Sequence, residues 1–210
     1  MLIFALFFSL CFAIPDDVLA TSKDQYYVKF DKYNWYPEKR AYVVMERCIN
    51  QTNDIYIAYN LTHLKHLYYD SYDNCREDRN REYFMKGEYM AFSWYGRIYD
   101  MDLDGMVQYA RHVLNKDDPV DQITVSPVGH CFIMYYNQSV RYTLVNNDSA
   151  VIQDWYYGAR CDLLTESMYI ELSKWQYPQG ADAGQMTYFE YNASTMKYIV
   201  VAVFLALFLI

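Results

Sequence analysis

CFIMYYNQSVRYTLVNNDSAVIQDWYYGARC, residues 131–161, opens and closes on cysteine. Within it Val140, Tyr142 and Leu144 alternate with Arg141, Thr143 and Val145. That two-residue period is the signature of a half-buried strand, so the first set is expected to face inward and the second outward. The stretch reads as a cysteine, a strand, a turn, a second strand, a polar segment of small residues and a second cysteine. SAVIQDWYYGA and CDLLTESM, which follow the second strand, are expected to carry a short helix.

Strand signals dominate outward from there. AYVVMER (Ala41–Arg47) and DIYIAYNLT (Asp54–Thr62) are rich in β-branched and aromatic residues. EYFMKGEYMAFSWYGRIYDM (Glu82–Met101) reads as two or three strands with turns near Lys86-Gly87 and Tyr95-Gly96, and QITVSP and MYIEL add more. MVQYARHVL (Met106–Leu114) fits a helical turn or a strand equally well. Short strands at close spacing with small turns define an all-β sandwich or barrel. Asn60 opens a glycosylation sequon and so is expected to face outward with Tyr56 and Ala58, which turns Ile55, Ile57 and Tyr59 inward. In the strand from Glu88, Met90, Phe92 and Trp94 form the more apolar set, and Glu88 shares their parity. An interior of Tyr, Trp, Phe and Met with one carboxylate at its edge suits a small-ligand pocket; the plainer alternative is that these rings simply fill a sandwich core.

The ends differ from the middle. MLIFALFFSLCFAI (Met1–Ile14) has the length and small-residue ending of a secretory signal, with Cys11 and Ala13 before one candidate cut and Val18 and Ala20 before a second. YIVVAVFLALFLI (Tyr198–Ile210) is too short to span a bilayer comfortably. It follows a polar stretch whose small residues, Asp182 and Ala183 among them, match the layout of a lipid-attachment signal. The expected organisation is therefore a signal peptide over 1–20, one domain over 21–180, and a spacer with an apolar tail over 181–210 that attaches the protein to a membrane.

Cys48, Cys75, Cys131 and Cys161 remain in the domain, an even number with three ways to pair. Sequons begin at Asn50, Asn60, Asn137, Asn147 and Asn192, the last close to the apolar tail. Together these features place the chain in the secretory pathway, at the cell surface or outside the cell. A net charge of −8 disfavours nucleic acid as a partner. Tyrosine occurs 25 times, a composition that suits strands, pockets and interfaces alike.

Motifs for catalysis or metal binding are weak. DMDLDG (Asp100–Gly105) opens like a calcium loop, yet the closing glutamate position holds Arg111, so a solvated acidic turn is expected. His63 and His66 lack a third ligand at metal spacing, and His130 neighbours a cysteine that is expected to be a half-cystine. No nucleophile elbow, zinc-protease motif or phosphate loop occurs. Binding rather than catalysis is the expectation, with no cofactor and no metal.

The Cys131–Cys161 stretch resembles the corresponding region of the tick salivary lipocalins, the histamine-binding-protein family, in which a cysteine-led strand is followed by a Y-E-L-W-V strand and a second cysteine. Tyr142-Thr143-Leu144-Val145 stands where that motif would fall, and NWYPEKRAYVVMERC (Asn34–Cys48) looks like the family's first segment. The sequence departs from the pattern in lacking a Gly-x-Trp motif around Trp35, the tryptophan of the second strand, and a late cysteine after Cys161. The resemblance implies an eight-stranded antiparallel barrel with a short C-terminal side helix, monomeric, holding one small ligand. It implies the pairs Cys131–Cys161 and, with Cys75 in place of the missing cysteine, Cys48–Cys75. It further implies capture of mediators such as histamine, serotonin or leukotrienes. For an amine, Glu88 with Trp94, Tyr59 and Tyr142 would supply charge and aromatic faces, and Phe92, Met90 and Tyr135 apolar wall. For a lipid acid, Arg97 or Arg141 would supply a basic group. The competing expectation is a lipid-anchored recognition domain that binds a protein partner through its tyrosine-rich surface.

Overall fold

The computed structural model describes residues 14–30, 40–45, 47–52, 55–60, 65–79, 92–112, 119–135, 137–177 and 185–192. Among these the chain is all-β. The described residues form fourteen strands: β1 (Tyr26–Phe30), β2 (Arg40–Val44), β3 (Cys48–Thr52), β4 (Ile55–Asn60), β5 (Lys65–Tyr69), β6 (Phe92–Arg97), β7 (Gly105–His112), β8 (Gln122–Ser126), β9 (Cys131–Tyr135), β10 (Gln138–Val145), β11 (Ala150–Tyr157), β12 (Leu163–Glu171), β13 (Lys174–Gln176) and β14 (Gln185–Asn192). Two short helices accompany them, α1 (Asp16–Ser22) and α2 (Tyr72–Arg76).

The strands form three antiparallel sheets: β13-β14-β7-β8-β2-β1-β6, β12-β11-β10-β9 and β3-β4-β5. Among the described residues no sheet closes on itself. The large sheet is open, with β13 and β6 at its edges, and its order is not that of consecutive strands.

The undecided stretch from Met106 is a central strand. β7 pairs with β14 over eight residues and with β8 on its other side. Its faces are both covered, with Val107 and Tyr109 fully buried on one and Met106 and Ala110 nearly so on the other. A strand buried on both faces loses the alternation that would reveal it. Gly105 starts it at φ +129°, where an added Cβ would lie 2.6 Å from the Ser126 carbonyl oxygen. Only glycine fits both the angle and the approach.

Pleat alternation assigns the two cores. One face of the large sheet carries Tyr27, Tyr42, Val44, Val107, Tyr109, Ile123 and Val125, which pack together with Val18 of α1 and Ile98 into the first core. The opposite face carries Met106 and Phe189, which pack with Phe132, Val140, Tyr142, Val151 and Ile170 of the four-stranded sheet into the second. The third sheet holds Leu67 and Tyr69 against Cys75 and Cys48.

Val140 and Tyr142 are buried and Thr143 is exposed, as the alternation in β10 predicts. The helix expected after β10 is instead two strands. Asn146, Asn147 and Asp148 all adopt left-handed backbone, with φ of 54°, 54° and 62°, a region that Asn and Asp enter more readily than most residues. They reverse the chain so that Ala150–Tyr157 runs back along β10 in unbroken register from Val145↔Ala150 to Gln138↔Tyr157. Leu163–Glu171 then pairs with β11. The ladder satisfies the backbone of a segment already rich in β-branched and aromatic side chains.

Both disulfides form as the resemblance implies, Cys48–Cys75 with Cα atoms 5.9 Å apart and Cys131–Cys161 at 6.0 Å. Such bridges fit a chain folded in an oxidising compartment.

The first expected domain boundary falls inside a helix, while the second, at 180/181, lies outside the described residues and has a strand downstream of it. α1 straddles residue 20: Val18 and Ser22 are fully buried, and Ile14 and Leu19 pack on the first core. Full burial of a valine or leucine is worth about 1.5–3 kcal/mol. At the other end, β14 sits between β13 and β7 with Thr187, Phe189 and Glu190 buried. Lipid attachment at Asp182 or Ala183, which lie outside the described residues, would remove everything downstream and take this interior strand with it. A strand with ladder partners on both sides is not a spacer. Among the described residues no helix is long and apolar enough to cross a membrane; the tail from Tyr198 lies outside them.

Candidate functional site

The first core is a field of rings into which β14 turns a buried carboxylate, that of Glu190. Pairings Tyr109↔Tyr188 and Val107↔Glu190 put Tyr109, Tyr188 and Glu190 on one face of adjacent strands. Trp175↔Tyr188 extends that face to β13. Tyr109 and Tyr188 meet edge to face at 6.1 Å between centroids, and Trp175 leans on Tyr188 at 5.5 Å. The Arg111 guanidinium stacks 4.5 Å above the Trp175 ring.

Glu190 is only 7% exposed. Its Oε1 accepts the Tyr109 hydroxyl at 2.7 Å and the Asn192 amide at 3.0 Å. Burial raises its pKa above the ordinary carboxyl value, and those two hydrogen bonds pull it partly back. Tyr109 is pushed well up, first by burial and then by the neighbouring Glu190 charge. Tyr27, whose hydroxyl donates to the Val120 carbonyl at 2.8 Å, is also raised, chiefly by burial. Both donors to Glu190 are neutral, so the ionised carboxylate is a partly desolvated negative charge among aromatic faces. That combination attracts a cation.

α1 borders this face. The Trp175 indole N–H donates to Asp17 at 2.6 Å, Arg111 donates to the Thr21 hydroxyl at 3.2 Å, and the Val120 N–H donates to Ser22 Oγ at 3.0 Å.

The expected site residues divide. Trp94 lies on this same face, edge-on to Tyr42 at 5.2 Å, with its ring folded across Gly96, where a Cβ would come within 2.6 Å of the indole. Tyr142 does not join it. It faces inward as predicted, but in the second core, stacked on Phe132 at 6.0 Å and accepting from Gln153 at 3.0 Å, with the large sheet between it and Trp94. Parity gave its direction; it could not say which core the sheet faces. Tyr59, Phe92 and Tyr135 fall on β4, β6 and β9, with side chains outside what is described, and Glu88 and Met90 lie outside the described residues altogether. Arg97 and Arg141 turn away from the first core. Arg97 stands over exposed Tyr26 at 5.0 Å and Arg141 over Tyr156 at 5.5 Å. Arg111 is a basic group that does border the aromatic face.

Asn137 and Asn147 are exposed in turns, open to glycosylation; Asn50 and Asn60 lie on β3 and β4 with side chains outside the description. In the acidic turn, Arg40 pairs with Asp102 and reaches the Asp104 carbonyl. Among the described residues no three His, Cys, Asp or Glu side chains converge as a metal site.

Glu190 escaped the sequence reading. It sits in TYFEYN beside the apolar tail, and its partner Tyr109 is 81 positions away. Its parity with Tyr188, in a strand that holds three aromatics and polar residues among them, was the available signal. No protein-family model, curated protein or solved structure matches the chain.

Proposed function

We propose that the chain is an extracellular small-molecule-binding protein of lipocalin type, monomeric, that takes a biogenic amine such as histamine or serotonin against Glu190. The observation that carries this is the Glu190 carboxylate, buried, held by two neutral donors, with Tyr109 bound to it and Tyr188 and Trp175 on the same sheet face. An ammonium group would pair with the carboxylate and lie against the rings. Closure into the eight-stranded barrel belongs to this proposal, as do the roles of Glu88 and Met90. The two disulfides and the exposed Asn137 and Asn147 support an extracellular setting. Attachment to a membrane, in this reading, runs through the apolar tail with β14 kept in place. A lipid mediator with an acidic head is the variant ligand, with Arg111 as its partner.

The test is calorimetric titration of the purified protein with histamine, serotonin, a leukotriene and a fatty acid. Saturable one-to-one heat with an amine, lost in Glu190→Gln, is the expected result. Heat from an amine that survives Glu190→Gln would move the counter-ion elsewhere, and no heat from any amine would sink the amine reading.

A second reading rests on the surface. Tyr26, Tyr95, Tyr99, Tyr157, Tyr169 and Tyr177 are all at least 40% exposed. Tyr26 and Tyr95 stack at 5.0 Å, with Arg97 over Tyr26. Rigid exposed tyrosines with an arginine suit recognition of a protein partner.

A further inference from the structure

We infer that the signal peptide is removed between Ala13 and Ile14, so that the mature chain begins at Ile14 and keeps α1 as part of the fold. The inference rests on the secretory reading of the first residues and selects between the two cuts that reading allows.

Cleavage at either place is hydrolysis. Water adds across one peptide bond, leaving a carboxylate on the released leader and an amino group on the new first residue. Small side chains stand before both bonds, Cys11 and Ala13 before one, Val18 and Ala20 before the other. Local sequence does not separate them; the product does.

A cut after Ala20 discards Ile14, Asp17, Val18 and Leu19. Val18 is fully buried in the first core, and Ile14 and Leu19 pack against that core. The Asp17 carboxylate, which accepts the Trp175 indole N–H, would go too. So would most of the helix that presents Thr21 to Arg111 and Ser22 Oγ to the Val120 N–H. Those donors come from β13, β7 and the segment before β8, so the loss would reach three parts of the large sheet. A cut after Ala13 removes none of these groups. The first α1 hydrogen bond, Leu19 N–H to the Pro15 carbonyl at 2.8 Å, is kept, and Gln25 N–H still reaches the Ser22 carbonyl at 3.1 Å to lead into β1.

The experiment secretes the full chain from a eukaryotic cell and maps the amino terminus by mass spectrometry after trypsin. A first peptide spanning Ile14 to Lys23 is expected. A first peptide beginning at Thr21 overturns the inference while leaving secretion intact, whereas a chain still beginning at Met1 overturns the secretory reading itself. Ala20→Arg provides an independent check, because Ala20 is exposed on α1. It places a large cation at the second cut and is expected to leave both the amino terminus and the secreted yield unchanged. A shifted terminus or lost processing in Ala20→Arg overturns the inference.

Discussion

The Tyr109 hydroxyl donates to the Glu190 carboxylate at 2.7 Å, joining β7 to β14 inside the first core. Folding carries that carboxyl out of water, and its pKa rises as a result. Between the ordinary glutamate value of about 4.3 and the raised value, the native state binds more protons than the unfolded one. Stability from this group is therefore fully present below the ordinary value and lost as pH rises through the raised one. Glu190→Gln keeps an acceptor for Tyr109 and does not titrate. Urea midpoints from pH 4 to pH 8 are expected to fall for the wild type relative to Glu190→Gln, then run parallel. A constant difference across that range would mean that the carboxyl titrates as it does in water.

The tyrosines make a parallel prediction at the alkaline end. Burial lifts Tyr142 to about 12. A folded pKa about two units above the ordinary value near 10 corresponds to roughly 2–3 kcal/mol that is present below pH 10 and lost as pH climbs through 12. Tyr27 and Tyr109 shift the same way. Stability measured by denaturant at pH 9, 10 and 11 is expected to drop steeply, and Tyr142→Phe is expected to shed part of the slope. An unchanged slope in Tyr142→Phe would show that its phenol reaches water.

The strand periods, the Cys131–Cys161 hairpin and the inward set of β10 were legible because each shows on one segment: Val140 and Tyr142 alternate with Arg141 and Thr143. β7 resisted because Met106, Val107, Tyr109 and Ala110 are buried on both faces, which erases the period. β11 and the first half of β12 resisted, although MYIEL at the end of β12 read as a strand, because the deciding element is the turn at Asn146–Asp148, whose three left-handed residues fix a hairpin that composition alone leaves open. The site depends on pairing across the sheet. Nothing local connects Glu190 with Tyr109, or Asp17 with Trp175, 158 positions apart. β14 looked like a spacer because it runs so close to the apolar tail.

Gly105 offers a local test of the sheet's geometry. At φ +129°, with the Ser126 carbonyl oxygen 2.6 Å from where a Cβ would stand, Gly105→Ala must strain the backbone and push β8 away. A cost of about 1–3 kcal/mol from the backbone conformation is expected, with the contact adding to it. Equilibrium urea unfolding reads it directly. A change under about 0.5 kcal/mol, the range of an ordinary surface substitution, would refute the close approach.

The Cys48–Cys75 bridge closes a loop of 27 positions and ties β3 to α2. Chain entropy assigns such a loop about 3.5 kcal/mol. The Cys48→Ala/Cys75→Ala double variant is expected to lose about 2–4 kcal/mol while the first core survives, because Leu67 and Tyr69 form a cluster of their own. Loss of near-ultraviolet circular dichroism from the whole protein would instead show that the small sheet is needed by the large one.

The place of β14 yields the sharpest test of the chain's downstream end. A protein ended at Ala183 keeps both disulfides and thirteen of the fourteen strands in the sheet order but loses β14, stranding β13 and exposing the long edge of β7. It also loses Phe189 from the second core and Glu190 from the first. An exposed edge strand with apolar faces aggregates rather than folds. The truncated protein is expected to be retained in the cell or recovered without near-ultraviolet circular dichroism, whereas one ended after Lys197 is expected to be secreted folded. If the Ala183 form is secreted, folded and monomeric, β14 is dispensable, and lipid attachment at Asp182 or Ala183 becomes compatible with the fold.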